Sequence, residues 1–282
     1  MKLKCKLTYL LILLLILPVF AHEFWLEPQQ YIFSRAEEIN IRFKAGEAFT
    51  GHNWKGNRDK VSELKLYYAD IVDDLSNALT DDEGDSLQFS IHEEGTAMVT
   101  FNNINSYIEL EAEKFNAYLA EDGLQAVIDY RQQQNETDSM GRELYQRSVK
   151  TIVQVGALKT NVYKKQTTLP VDIIPFSHPY QLNDGDTLTV KILFKGEPLA
   201  NTKIRTWHKL PGRVTDTSLM SNENGEISFP VTTSGEWMVS CVTMIRLTDD
   251  SHAHPIAIGW QSYWGSVTWG YTGKNKSTSL AR

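Results

Sequence analysis

Only two of the 282 residues are cysteine, Cys5 and Cys241. Cys5 lies in a leader-like stretch, so Cys241 is expected to stay unpaired and no intrachain disulfide is available to the mature chain. Cations are also in deficit, with 28 Lys and Arg against 35 Asp and Glu and a formal charge of −7. Nucleic acid and anionic membrane are poor partners for such a surface. The sequence contains no Gly-x-Ser-x-Gly elbow, no Walker loop and no His-Glu-x-x-His pair, which leaves nucleophilic, nucleotide and zinc-protease chemistry without support. The acidic run Asp81-Asp82-Glu83-Gly84-Asp85 lacks the spacing and length of an EF-hand loop and reads as solvated. No apolar run after Leu17 approaches the roughly 20 residues that a membrane helix needs.

What is present begins with a secretory signal. Lys2, Lys4 and Lys6 form a positive n-region, Leu10 to Leu17 a short aliphatic h-region, and Val19 and Ala21 fill the small-residue positions before a cut. Cleavage after Ala21 is expected to direct the chain to the periplasm with no membrane span left. It removes three lysines, takes the charge to −10, and leaves His22 as the first residue. A terminal histidine offers its free amine and its Nδ1 to one cation in a small ring, which an internal histidine cannot do.

Period-two alternation over Glu38 to Phe43, Glu63 to Tyr68 and Ala97 to Phe101 predicts half-buried strands. A helical insert is expected over about 113–156. Its first helix is marked by Phe115, Leu119, Leu124, Val127, Ile128 and Arg131 with Gly123 as an interruption. Its second runs from Met140 to Val155, where Leu144, Tyr145, Val149, Ile152 and Val153 would form the apolar stripe. Pro170, Pro175 and Pro179 suggest a boundary near residue 175. Short strands and turns then alternate from Asp186 to Thr243, the pattern of a β-sandwich. The fold class expected is therefore mainly β, with two β-sandwich-like domains: 22–175, carrying the helical insert, and 176–282.

The second unit is similar to carboxypeptidase regulatory-like and transthyretin-like sandwiches through Gly196-Glu197-Pro198-Leu199-Ala200-Asn201-Thr202-Lys203-Ile204, Asn222-Glu223-Asn224-Gly225-Glu226-Ile227-Ser228-Phe229 and Gly235-Glu236-Trp237. The whole mature chain resembles the periplasmic nickel-uptake substrate-specific component family, a group largely classed as a domain of unknown function. The residues that carry this likeness are Ala21-His22-Glu23-Phe24-Trp25-Leu26-Glu27-Pro28, Ala45-Gly46-Glu47-Ala48-Phe49, Gly141-Arg142-Glu143-Leu144-Tyr145 and Tyr263-Trp264-Gly265-Ser266-Val267-Thr268-Trp269. The resemblance implies a secreted envelope protein linked in some members to divalent-metal uptake.

Metal coordination centred on His22 is the sharpest functional expectation. Phe24-Trp25-Leu26 should join a sheet and hold the terminus still. His252 and His254, one residue apart, would project to the same side of an extended segment and complete a nitrogen-rich set suited to copper, nickel or zinc. His52, in a glycine-punctuated loop, and Glu47 are further candidate ligands, set against the plainer reading of a solvated histidine. His208 is a weaker candidate, while His92, His178 and the Cys241 thiol read as structural. The expected function is a non-enzymatic accessory in acquiring or buffering a divalent transition metal, nickel or copper first and zinc or cobalt next, with a membrane metal transporter as the implied partner. Two other classes stand beside it: a histidine-brace copper oxidoreductase, and an adhesive or structural envelope module.

Overall fold

Alternating apolar and polar residues build most of the chain into strands, because period-two patterning lets one face of a pleated ribbon bury while the other stays wet. In the computed structural model, which describes residues 23–54, 58–80, 86–247 and 258–272, the first strands are β1 (Glu23–Pro28), β2 (Ile32–Phe33), β3 (Glu38–Glu47) and β4 (Thr50–Asn53). After these come β5 (Val61–Tyr68), β6 (Ile71–Asp74), β7 (Ser86–Ser90), β8 (Gly95–Asn103) and β9 (Ser106–Leu110). Two helices, α1 (Ala112–Glu121) and α2 (Gln125–Gln133), lead into the long β10 (Gly141–Val155). Beyond it run β11 (Val171–Pro175), β12 (Thr187–Phe194), β13 (Glu197–Pro198), β14 (Lys203–Leu210), β15 (Arg213–Met220), β16 (Glu226–Pro230), β17 (Glu236–Arg246) and β18 (Trp260–Gly270). The fold is mainly β, as expected.

These strands stack in three layers. The middle layer is a ten-stranded sheet in the order β15-β14-β17-β18-β10-β8-β5-β6, with β2 and β9 also paired to β10. One four-stranded sheet (β1, β3, β4, β7) and the two helices cover one face, and a second (β11, β12, β13, β16) covers the other. Side-chain parity shows both faces of the middle sheet to be buried. Val149 and Val153 of β10 join the core with Phe24, Phe43 and Phe101, whereas Ile152 joins Val171, Ile173, Val190 and Val267 on the opposite side. The middle sheet takes strands from either side of residue 175, joined where β10 and β18 pair in parallel from Glu143↔Trp260 to Thr151↔Thr268.

One expectation is corrected. Residues 141–155 are not a helix but the central strand β10. Every residue from Ser148 to Val155 is buried, so the alternation that normally betrays a strand is gone, and the remaining apolar spacing mimics a helical stripe. β-Branched Val149, Thr151, Ile152, Val153 and Val155 favour the extended form. The helical insert thus ends at Gln133. Its two short helices are separated at Gly123, whose φ of 70° is the left-handed conformation that glycine adopts without strain.

Candidate functional site

The site is built outward from β1. Phe24, Trp25 and Leu26 are each 2 % exposed or less, and β1 pairs antiparallel with β3 from Glu23↔Gly46 to Pro28↔Ile41. Two hydroxyls of β18 fasten it from below: Ser266 Oγ donates to the Phe24 carbonyl at 2.7 Å and Thr268 Oγ1 to the Leu26 carbonyl at 2.8 Å. Glu27 then meets Lys209 at 3.0 Å and Lys44 at 3.5 Å. The strand behind the expected mature terminus is therefore fixed along its length.

Glu23, the first described residue, lines a cleft of about 380 Å³. Carboxylates dominate its lining: Glu47 from the end of β3, Glu121 and Asp122 from the end of α1, and Asp216 from β15. Lys203 and Arg205 of β14 oppose them, and Tyr118 and Trp207 supply aromatic wall. Arg205 is the hub, for its Nη1 lies 2.5 Å from Asp122 Oδ1 and 3.6 Å from Glu23 Oε1, and its Nη2 donates to the Glu121 carbonyl at 2.9 Å. Burial pushes the Glu23 carboxyl up to about 7; Arg205 pulls against that shift, while Asp122 and Glu47 add to it. Asp122 is raised for the same first reason, again against the pull of Arg205.

A second buried carboxyl lies nearby. Glu143 of β10 is held by Ser262 Oγ and, at 3.4 Å, by the Tyr118 hydroxyl. Burial raises it to about 8, against the lowering effect of those two donors. Among the described residues, its Oε2 has no hydrogen-bond partner. The same Tyr118 ring lines the cleft and stacks on Trp264, with centroids 5.9 Å apart. Next to Glu143, Gly141 is required by space, because a Cβ there would lie 2.1 Å from the Phe115 ring of α1.

Of the residues expected to bind metal, Glu47 lines the cleft. His52 is exposed on β4, opposite Ala45, and is not among the cleft residues. His22, His252 and His254 lie outside the described residues. Among the described residues no three His, Cys, Asp or Glu side chains are grouped to hold a metal ion. His208 stacks on Trp237 at 4.3 Å and contacts the Ser234 carbonyl at 2.9 Å. His178 is buried against Thr96 and Tyr163, and burial, helped by Lys159, lowers it to about 4. Cys241 is a buried free thiol that burial pushes up to about 12.

Sequence reasoning missed Glu23, Asp122, Arg205 and Tyr118. Glu23 carried a readable signal, since a charged side chain opening the apolar run Phe24-Trp25-Leu26 must either reach water or find a partner. Arg205, on β14, and Asp122, at the end of α1, meet only through tertiary packing.

No helix among the described residues is long and apolar enough to cross a membrane. No curated protein matches the sequence. Among solved structures, the chain is similar to a DUF4785 family protein from Legionella pneumophila, with 8% identity and a TM-score of 0.23, covering 76% of this chain and 50% of that one. It thus spans about half the length of that protein. It is also similar to the fibronectin(III)-like modules of Clostridium thermocellum CbhA, with 11% identity, a TM-score of 0.18, and 87% and 95% of the two chains covered. A third likeness is to a mutant alpha-2-macroglobulin from Salmonella, with 10% identity, a TM-score of 0.23, and 89% and 15% covered. The family model described as a domain of unknown function, DUF4198, matches residues 19–245, and the chain belongs to that family.

Proposed function

We propose that the mature chain is a periplasmic metal-binding protein that acquires or buffers a divalent transition metal, nickel or copper first, and passes it to a membrane transporter. The ligands proposed are the amine and ring of His22 together with His252 or His254, with Glu47 as a carboxylate at the rim and His52 as a further candidate. The observation that carries this reading is the fixed position of Glu23 in an acidic cleft. The expected terminal chelate would be joined by one peptide bond to Glu23, which is itself paired with Gly46 in the sheet. Carboxylates around such a site favour cations and carry some of the coordination charge. The resemblance to nickel-uptake components, and to transthyretin-like sandwiches in the C-terminal unit, agrees with a secreted role of this kind.

Calorimetry with nickel, copper, zinc and cobalt salts tests it on the native protein, a form with one residue added before His22, His22→Ala, and the His252→Ala/His254→Ala pair. The α-amine titrates at about 7.7–8.0 and imidazole at about 6.5, and both must be unprotonated to ligate, so affinity should fall steeply from pH 8 to 6. Extension should weaken binding as much as His22→Ala does. Equal affinity in all forms overturns the proposal, and copper binding with peroxide-dependent turnover would favour an oxidoreductase instead.

A further inference from the structure

A lysine and an aspartate outside the cleft are buried against each other between two layers. Lys150 of β10 has a side chain 0% exposed and Asp172 of β11 one 3% exposed, and Lys150 Nζ contacts Asp172 Oδ1 directly. Among the described residues, no other hydrogen bond or ion pair is made by that ammonium, although it has three protons to give. The other carboxylate oxygen, Oδ2, accepts the Thr167 backbone N–H at 2.6 Å. Val267, paired with Lys150 in register, and the sequence neighbours Ile152, Val171 and Ile173 are each 1% exposed or less. Two charges taken out of water with so few partners carry a desolvation penalty.

We propose that Lys150 and Asp172 condense after folding into an intramolecular amide that ties the middle sheet to the outer sheet containing β11. The ammonium first returns a proton to Oδ1, which leaves a neutral amine facing a neutral carboxylic acid. The Nζ lone pair attacks Cγ and the new N–C bond forms, while charge developing on Oδ2 is held by the Thr167 N–H. A second nitrogen proton passes to Oδ1, the Cγ–Oδ1 bond breaks and one water departs, so the ion pair becomes one amide and one water with no oxidant or co-reactant. Fixing nucleophile and electrophile in contact supplies the effective concentration that the reaction lacks in solution, and exchanging two buried charges for a neutral amide removes their desolvation penalty. Cys241 is unpaired, so this would be a covalent tie in a fold that no disulfide closes.

Peptide mapping of the purified, fully denatured wild-type protein tests the bond. Trypsin cannot cut after an acylated lysine. The expected product is a branched peptide of 148–159 joined to 166–191, lighter by one water than the two linear peptides together, and absent from Asp172→Ala. If wild-type protein shows cleavage after Lys150 and only the linear 166–191 peptide, the pair is an ordinary buried ion pair and the proposal fails. Because the wild-type protein carries the measurement, a variant that does not fold leaves the outcome decided.

Discussion

Ser266 of β18 donates its hydroxyl to the carbonyl of Phe24 across 242 positions of sequence, and by doing so the last described strand fastens the first. Thr268 repeats the contact at Leu26. The segment from Tyr263 to Trp269 thus works on two sides at once, because the hydroxyls of Ser266 and Thr268 hold β1 while Tyr263, Val267 and Trp269 fill the opposite core.

Removing these hydroxyls should loosen β1 in particular. Ser266→Ala and Thr268→Val each leave a buried carbonyl short of a donor, at a cost of about 1–2 kcal/mol. Denaturant unfolding measures the loss, and hydrogen exchange should show faster opening of the Phe24 to Leu26 amides than of β12. Unchanged protection would mean that packing alone holds the strand.

Stability should fall as pH rises from about 5 to 8. Glu23 and Glu143 have folded-state values raised to about 7 and about 8 from an ordinary 4.5, so the native state binds more protons than the unfolded chain across that window. Their contribution is complete below the unfolded value and is lost as pH climbs through the folded ones. Glu143→Gln keeps the shape and removes the charge, and should stabilise the protein at pH 8 by on the order of 2 kcal/mol while changing little at pH 4. Equilibrium unfolding at the two pH values compares them, and parallel curves for variant and wild type would place Glu143 in a wetter setting.

The Cys241 thiol should be silent in the folded protein. With the thiol pushed up to about 12 and the side chain buried, no thiolate is available to an aromatic disulfide reagent at pH 8. In denaturant one equivalent should react for a chain cut after Ala21, and two where Cys5 is retained. Rapid native labelling would show that β17 opens locally.

Residues 176–270 expressed alone should not give a cooperative domain. β18 would lose β10, its parallel neighbour over nine residue pairs, and β12 would lose β11. The exposed Val190, Ile192 and Val267 surfaces should bind a hydrophobic dye. A sharp thermal transition without dye binding would show that the C-terminal unit closes its own core.

Strands with one wet face were legible, and so was β8, expected over Ala97 to Phe101 as half-buried but in fact buried on both faces. β3 and β5 alternate, and their boundaries fall within four residues of the expectation; β12 and β16 alternate within the expected run from Asp186 to Thr243. β10 failed for the converse reason: buried on both faces and flanked on both sides, it has no alternation to read. β15 was passed over because it is an exposed edge strand with hardly any apolar pattern. At the site, Glu47 could be named from its glycine-rich turn, but the Glu23, Asp122 and Arg205 cluster is assembled from β1, α1 and β14, and no local spacing encodes a meeting of three distant elements.

The place of β18 has a consequence for the order of events in the cell. This strand comes last in the described chain, yet it lies in the interior of the ten-stranded sheet between β17 and β10. A ribosome delivers residues from the N-terminus onward, so β10 and β17 wait with open edges until residues 260–270 emerge. The middle layer cannot close before residues 260–270 have been made. Until then the two halves of the sheet lack the strand that joins them, one half ending at β17 and the other at β10.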